Sequence, residues 1–114
     1  MSGGTPGAPR RLGPGMEPTV QDVPESSRYE IRDGDRVLGL AAYRREGGRV
    51  VFTHTEVDPA QRGRGVANEL ARQALDQVRA SGRRVVPVCP FIAAYLRRHP
   101  EYADLLSPRR SPQA

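Results

Sequence analysis

The chain has 114 residues and a formal net charge of +5, enough for one domain of ordinary size and too short for a second. All 18 basic residues are Arg and none is Lys, which excludes a lysine nucleophile or Schiff base. With no Trp, two Phe and four Tyr, any core must be mostly aliphatic and alanine.

Residues 1–25 read as a disordered Gly/Pro-rich tail. Five of the 12 Gly and five of the 11 Pro fall in the first 24 residues, and the few large aliphatics among them cannot offset the entropy of ordering. The tail has no apolar core of a secretory signal, and no apolar run anywhere is long enough to span a membrane. Met16 opens a second plausible start, MEPTV. The single Cys permits no internal disulfide, which points to a reducing cytoplasm. No CxxC or paired-His spacing suggests a metal.

The working domain is expected over residues 26–106. Arg28 to Arg32 alternates Tyr29 and Ile31 against charged neighbours, and Arg36 to Tyr43 is apolar after Asp33-Gly34-Asp35. Together they read as a hairpin. Glu46-Gly47-Gly48 leads into a third strand, Arg49 to Val57, rich in β-branched residues and ended by Asp58-Pro59.

The period then changes. Val66, Leu70, Ala74 and Val78, with Ala67, Ala71 and Leu75 beside them, form one apolar stripe on a helix of about four turns that Ser81-Gly82 stops. Arg84 to Cys89 reads as a fourth strand, parallel to a neighbour because a helix separates it from the third. Pro90 suits the first turn of a second helix running through Phe91 to Arg98, which His99-Pro100 breaks. Residues 101–106 add a short helical turn, and 107–114 read as a second disordered tail. The order is βββ-α-β-α, an α+β domain with a mixed, mostly antiparallel sheet and two helices.

The most informative stretch is Val57 to Asn68, VDPAQRGRGVAN. Gly63 and Gly65 flank Arg64, and an amphipathic helix starts directly behind them, which makes either a phosphate site or merely a tight strand-to-helix turn. No GKS or GKT is present for a P-loop, and no third glycine for a dinucleotide fingerprint. Arg62-Gly63-Arg64-Gly65-Val66-Ala67 instead resembles the pyrophosphate signature Q/R-x-x-G-x-G/A of the GNAT family of acyl-CoA-dependent N-acetyltransferases. His54-Thr55-Glu56-Val57 and Val86-Pro87-Val88-Cys89-Pro90-Phe91, followed by Tyr95 and His99-Pro100-Glu101-Tyr102, resemble its small stand-alone members. The resemblance spans about residues 28–106 and implies a minimal GNAT-like fold with acetyl-CoA as cosubstrate. It implies that the amides of Arg62, Gly63, Arg64, Gly65, Val66 and Ala67 hold the CoA pyrophosphate, with Asn68 in reach. The backbone of Val57 then faces the acetyl and pantetheine end. Family members add a final strand or hairpin where this sequence stops, so a wall of the acceptor site is expected to be missing, and a homodimer could supply it.

Acetyl transfer to an amine needs a base, a stabilised oxyanion and a proton for the departing thiolate. Strand alternation puts Phe52, His54 and Glu56 on one face, which makes His54 and Glu56 base candidates or, alternatively, an ordinary sheet pairing. The resemblance places the thiolate-protonating tyrosine at Tyr95, which otherwise reads as a half-buried helix tyrosine. Cys89, between a strand and a helix start, is either a nucleophile, an acid for CoA or a small buried hydrophobe.

The arginines also raise nucleic-acid binding, but most are interleaved with acids or lie in the tails, and no RNA-binding aromatic motif is present. Arg62, Arg64, Arg83 and Arg84 are assigned instead to the negative CoA. The expected function is acetyl-CoA-dependent transfer to a primary amine of a peptide, protein or small molecule. The alternative is a CoA-binding interaction or regulatory module with little catalysis.

Overall fold

The protein is described by a computed structural model over residues 9–12 and 16–107. Among these residues four strands form an antiparallel meander: β1 Thr19–Val23, β2 Arg28–Asp33, β3 Arg36–Glu46 and β4 Arg49–Val57. Helix α1 (Val66–Ser81) crosses over to β5 (Arg84–Pro87), which pairs parallel with β4, so the sheet order is β1-β2-β3-β4-β5. Helix α2 (Pro90–Arg98) and a 3₁₀ turn (Pro100–Leu105) follow. The α+β class agrees with the pattern read from the residues, as does the succession from β2 to α2, to which the structure adds β1 in front. No helix of the described residues is long and apolar enough to cross a membrane.

The N-terminal boundary needs correction. Residues 19–23, expected to lie in the tail, form edge strand β1 and pair with β2 from Thr19↔Arg32 to Val23↔Arg28. The ordering comes from α1 rather than from the segment's own apolarity. Gln73, buried inside the helix face, accepts from Val20 N–H at 2.9 Å and donates to Pro18 O at 3.0 Å, while Gln77 donates to Val20 O. Tyr43 Oη donates to Asp22 at 2.6 Å from the other side. Each bond satisfies a group that burial would otherwise strip of water. Met16 and Val20 are consequently buried in the core. Residues 1–8, 13–15 and 108–114 lie outside the described residues. Ser107 belongs to the fold, its N–H donating to Val85 O at 2.9 Å.

Helix α1 lies across all five strands. Its stripe of Val66, Leu70, Ala71, Ala74, Leu75 and Val78 is fully buried, and four alanine or valine positions let the backbone sit close to the sheet. Tyr29, Tyr43 and Phe52 fill one end of the core, with ring centroids 5.3 to 6.5 Å apart. Ile92, Tyr95 and Leu96 of α2 and Tyr102 of the 3₁₀ turn join the same core. Tyr102 Oη ties the turn to α1 by donating to Asp76 at 2.7 Å.

Candidate active site

Strands β4 and β5 pair only from Arg49↔Arg84 to Phe52↔Pro87. Proline has no N–H with which to continue the ladder, so β5 stops at Pro87 and the expected strand end at Cys89 moves back two residues. Cys89 instead caps α2 and donates its N–H to Phe52 O at 2.8 Å. Beyond that apex Thr53–Val57 run on without β5. Asp58 N–H donates to Leu38 O at 2.8 Å, so strand alternation turns the backbone groups of Thr55 and Val57 away from β3 toward the open edge.

At the far end of this edge Val57 lines a cleft of about 490 Å³, with the loop through Gly65, the first residues of α1 and the α2 residues Phe91 and Arg98 as its other walls. Its far wall is built by the chain from Asp58 onward. Asp58 Oδ1 accepts from Ala60 N–H at 3.0 Å and starts a 3₁₀ turn, Pro59–Gln61. Arg62 N–H and Arg64 N–H are used inside this turn, donating to Pro59 O and Gln61 O. Gly65, with φ of +80°, is the N-cap of α1. That left-handed conformation costs a residue with a β-carbon energy and aims the first amides of the helix into the cleft. Among the described residues, the N–H groups of Gly63, Gly65, Val66, Ala67 and Asn68 find no backbone acceptor. With the positive end of the α1 dipole behind them, they are suited to an anion.

A second polar group faces the same cleft. Gln61 is 93% buried, since its relative exposure is 7%, and its Oε1 has no hydrogen-bond partner among the described residues. An acceptor stripped of water is costly unless something donates to it. Amides without a backbone acceptor, one buried orphan acceptor, and Arg62 and Arg98 belong to one cleft, a set suited to an anionic ligand that also carries an N–H donor. Gln61 and Arg98 were not singled out from the residues, and Phe91 entered only as the end of the Val86–Phe91 segment, not as a site residue. Gln61 stands directly before the glycine motif, and Phe91 with Arg98 has the seven-residue spacing of one helix face, so a signal existed for each.

The predicted catalytic residues separate. Phe52, His54 and Glu56 do not share a face. The register steps from Ala42↔His54 to Tyr43↔Phe52 and leaves Thr53 as an extra residue in β4. This β-bulge shifts the alternation by one. Phe52 points into the core, while His54 and Glu56 emerge on the opposite face with side chains 59% and 65% exposed. They remain together, His54 Nε2 lying 2.7 Å from Glu56 Oε2. A carboxylate only accepts, so Nε2 carries the proton and the Nδ1 lone pair of neutral His54 is left as the basic atom.

On the inner face Thr55 Oγ1 lies 3.2 Å from the Sγ of buried Cys89, at the apex of the wedge. Tyr95 lines an adjoining cleft, where its ring stacks on His99 at 4.0 Å, and burial raises its pKa. Arg83 and Arg84 do not line the cleft beside the glycine loop. They follow the C-terminus of α1, about 24 Å of helix away from the glycine loop, and Arg84 is tied to Asp104 O at 2.8 Å.

Comparison with known proteins agrees with this geometry. Residues 28–105 match the family described as GCN5-related N-acetyl-transferase. The cow (Bos taurus) protein NATD1 is 32% identical over 108 residues, covering 91% of this chain and 93% of the relative. Human (Homo sapiens) protein NATD1 is 39% identical over 77 residues, covering 65% and 66%. An NMR structure of a GCN5-like protein from Staphylococcus aureus shares the fold at a TM-score of 0.60 and 19% identity, covering 82% of this chain and 92% of that one. The glycine loop before α1, the parted strands β4 and β5, and the family match over most of its length make this chain a member of the GCN5-related N-acetyltransferases.

Proposed function

We propose that this N-acetyltransferase takes its acetyl group from acetyl-CoA bound along Val57–Asn68 and passes it to a primary amine of a small molecule, peptide or protein. The observation that carries the reading is one cleft joining the open edge of β4 to the unpaired amides of Gly63, Gly65, Val66, Ala67 and Asn68. Acetyl-CoA brings a thioester activated toward attack by nitrogen. The reaction forms a C–N bond and breaks a C–S bond, so the amine must lose a proton and the departing sulfur must gain one.

The residues divide that work between the two faces of the sheet. The amides of the glycine loop bind the pyrophosphate, Arg62 and Arg98 add counter-charge, and Gln61 Oε1 accepts from an amide N–H of the pantetheine arm. The N–H groups of Thr55 and Val57, on the free edge of β4, orient the thioester and stabilise the carbonyl oxygen as it gains charge. His54 Nδ1 removes the ammonium proton, with Glu56 holding the ring through Nε2–H. Cys89, oriented by Thr55, supplies the proton for the departing sulfur.

The test is a thermal melt followed by an acetyl-CoA release assay over pooled amines, polyamines, aminoglycosides and basic peptides. Acetyl-CoA should raise the melting temperature, oligonucleotides should not, and at least one amine pool should accelerate CoA release. No stabilisation by acetyl-CoA would refute the cofactor reading. Stabilisation with no accelerated release in any pool would refute the amine transfer.

A further inference from the structure

We propose that the N-terminal segment Pro9–Leu12 completes the nucleotide end of the cofactor site, with the Arg10 guanidinium binding the 3′-phosphate of CoA. The inference rests on the acetyl-CoA reading above and adds a residue that selects CoA over its dephosphorylated form. A second cleft of about 300 Å³ adjoins the first and shares Gly65 and Asn68 with it. Arg10, Arg11 and Leu12 form one wall, and Glu69 and Arg72 of α1, Tyr95 of α2 and His99 directly after α2 form the other. The polarity of the ligand follows from the site. If the thioester lies by Val57 and the pyrophosphate by Gly65, the ribose and its phosphate must continue past Gly65 and Asn68, away from Val57. The second cleft occupies that position.

The segment is held there by specific contacts. Arg10 N–H donates to Glu69 Oε2 at 3.1 Å. Leu12 N–H donates to Met16 O at 2.7 Å, and the Leu12 side chain packs on the core, its Cδ2 3.9 Å from where a Cβ on Gly65 would stand. An anchored backbone presents its side chain to a ligand at a reduced entropic cost.

The charges in this cleft favour an anion at Arg10. Glu69 is the carboxylate that lines this cleft, and it is saturated. Arg72 donates to it at 2.7 and 3.1 Å, Gln73 at 2.6 Å, and Arg10 through its N–H. Arg11 pairs with Glu17 at 3.1 Å, both side chains being more than half exposed. Among the described residues the Arg10 guanidinium makes no ion pair. It is exposed, always charged and forked to match phosphate oxygens.

The experiment is calorimetric titration of the full chain with CoA and with 3′-dephospho-CoA, repeated with Arg10→Gln and Arg10→Lys. The wild type should bind CoA about tenfold more tightly than dephospho-CoA, as a charge-assisted contact to phosphate warrants. Arg10→Gln should weaken CoA to the dephospho-CoA level and leave dephospho-CoA unchanged, and Arg10→Lys should restore part of the preference. Equal wild-type affinity for the two ligands, or an Arg10→Gln variant that weakens both alike, would overturn the proposal while leaving the cofactor reading intact. Failure of the wild type to bind either ligand would overturn both.

Discussion

Replacing Gln61 with Leu should change stability and ligand affinity in opposite directions. Gln61 is 7% exposed and its buried Oε1 has no partner among the described residues. Leaving such an acceptor unsatisfied costs about 1–3 kcal/mol, and an apolar side chain of similar size removes that cost. In a domain of this length about 1 kcal/mol corresponds to roughly 4–8 °C in melting temperature, so Gln61→Leu should melt at least about 4 °C higher than the wild type. The same change deprives a bound cofactor of one acceptor. A net hydrogen bond is worth about 0.5–1.5 kcal/mol, which weakens CoA roughly two- to twelvefold. A fluorescence-monitored melt of the free protein and a calorimetric titration with CoA measure the two quantities. A lower melting temperature together with unchanged CoA affinity would refute the reasoning, because the amide would then serve the fold and not the ligand.

His54→Ala should lower acetyl transfer about 100-fold at neutral pH, with CoA affinity unchanged and stability within about 0.5 kcal/mol, because the pair with Glu56 is more than half exposed. An unchanged rate in steady-state assays rejects His54 as the base. Gly65→Ala should cost about 1–2 kcal/mol in urea unfolding, since φ is +80° while the nearest side-chain atom is at an ordinary 3.9 Å. Gly48→Ala, in open space, is the comparison expected to be neutral. The pH profile of the urea midpoint should be flat through neutrality and fall at both ends. Arg32, with Arg28, holds Glu30 below the usual carboxylate range despite its burial. Its contribution is therefore present above about pH 4.5 and lost as pH falls below that value. Burial, with a hydrogen bond to Asp22, pushes Tyr43 up to about 12, and burial raises Tyr29 and Tyr102 as well. Their contribution is present below about pH 10 and lost as pH rises beyond it. A midpoint that kept rising above pH 10 would contradict this assignment.

The residues alone determined what depends on local pattern. The four-apart apolar stripe from Val66 to Val78 became α1, the β-branched run Arg49–Val57 became β4, and the glycine loop ahead of the helix became the wall of the cleft. These features need only backbone preference and a one-sided apolar face, and both are written in consecutive residues. Three other features depended on partners distant in sequence. Residues 19–23 order because Gln73 and Tyr43 satisfy their polar groups, so their own composition was a poor guide. The extra residue Thr53 breaks the alternation of β4, and only the register against β3 reveals that Phe52 goes inward while His54 and Glu56 go outward. The charges divide by place rather than by sum. Arg83 and Arg84 are carried to the far end of α1, whereas Arg98 lines the cleft beside the glycine loop and Arg10 its neighbour. Net charge and spacing are one-dimensional quantities, and the position of a charge relative to a ligand is settled by how a helix about 24 Å long lies across the sheet.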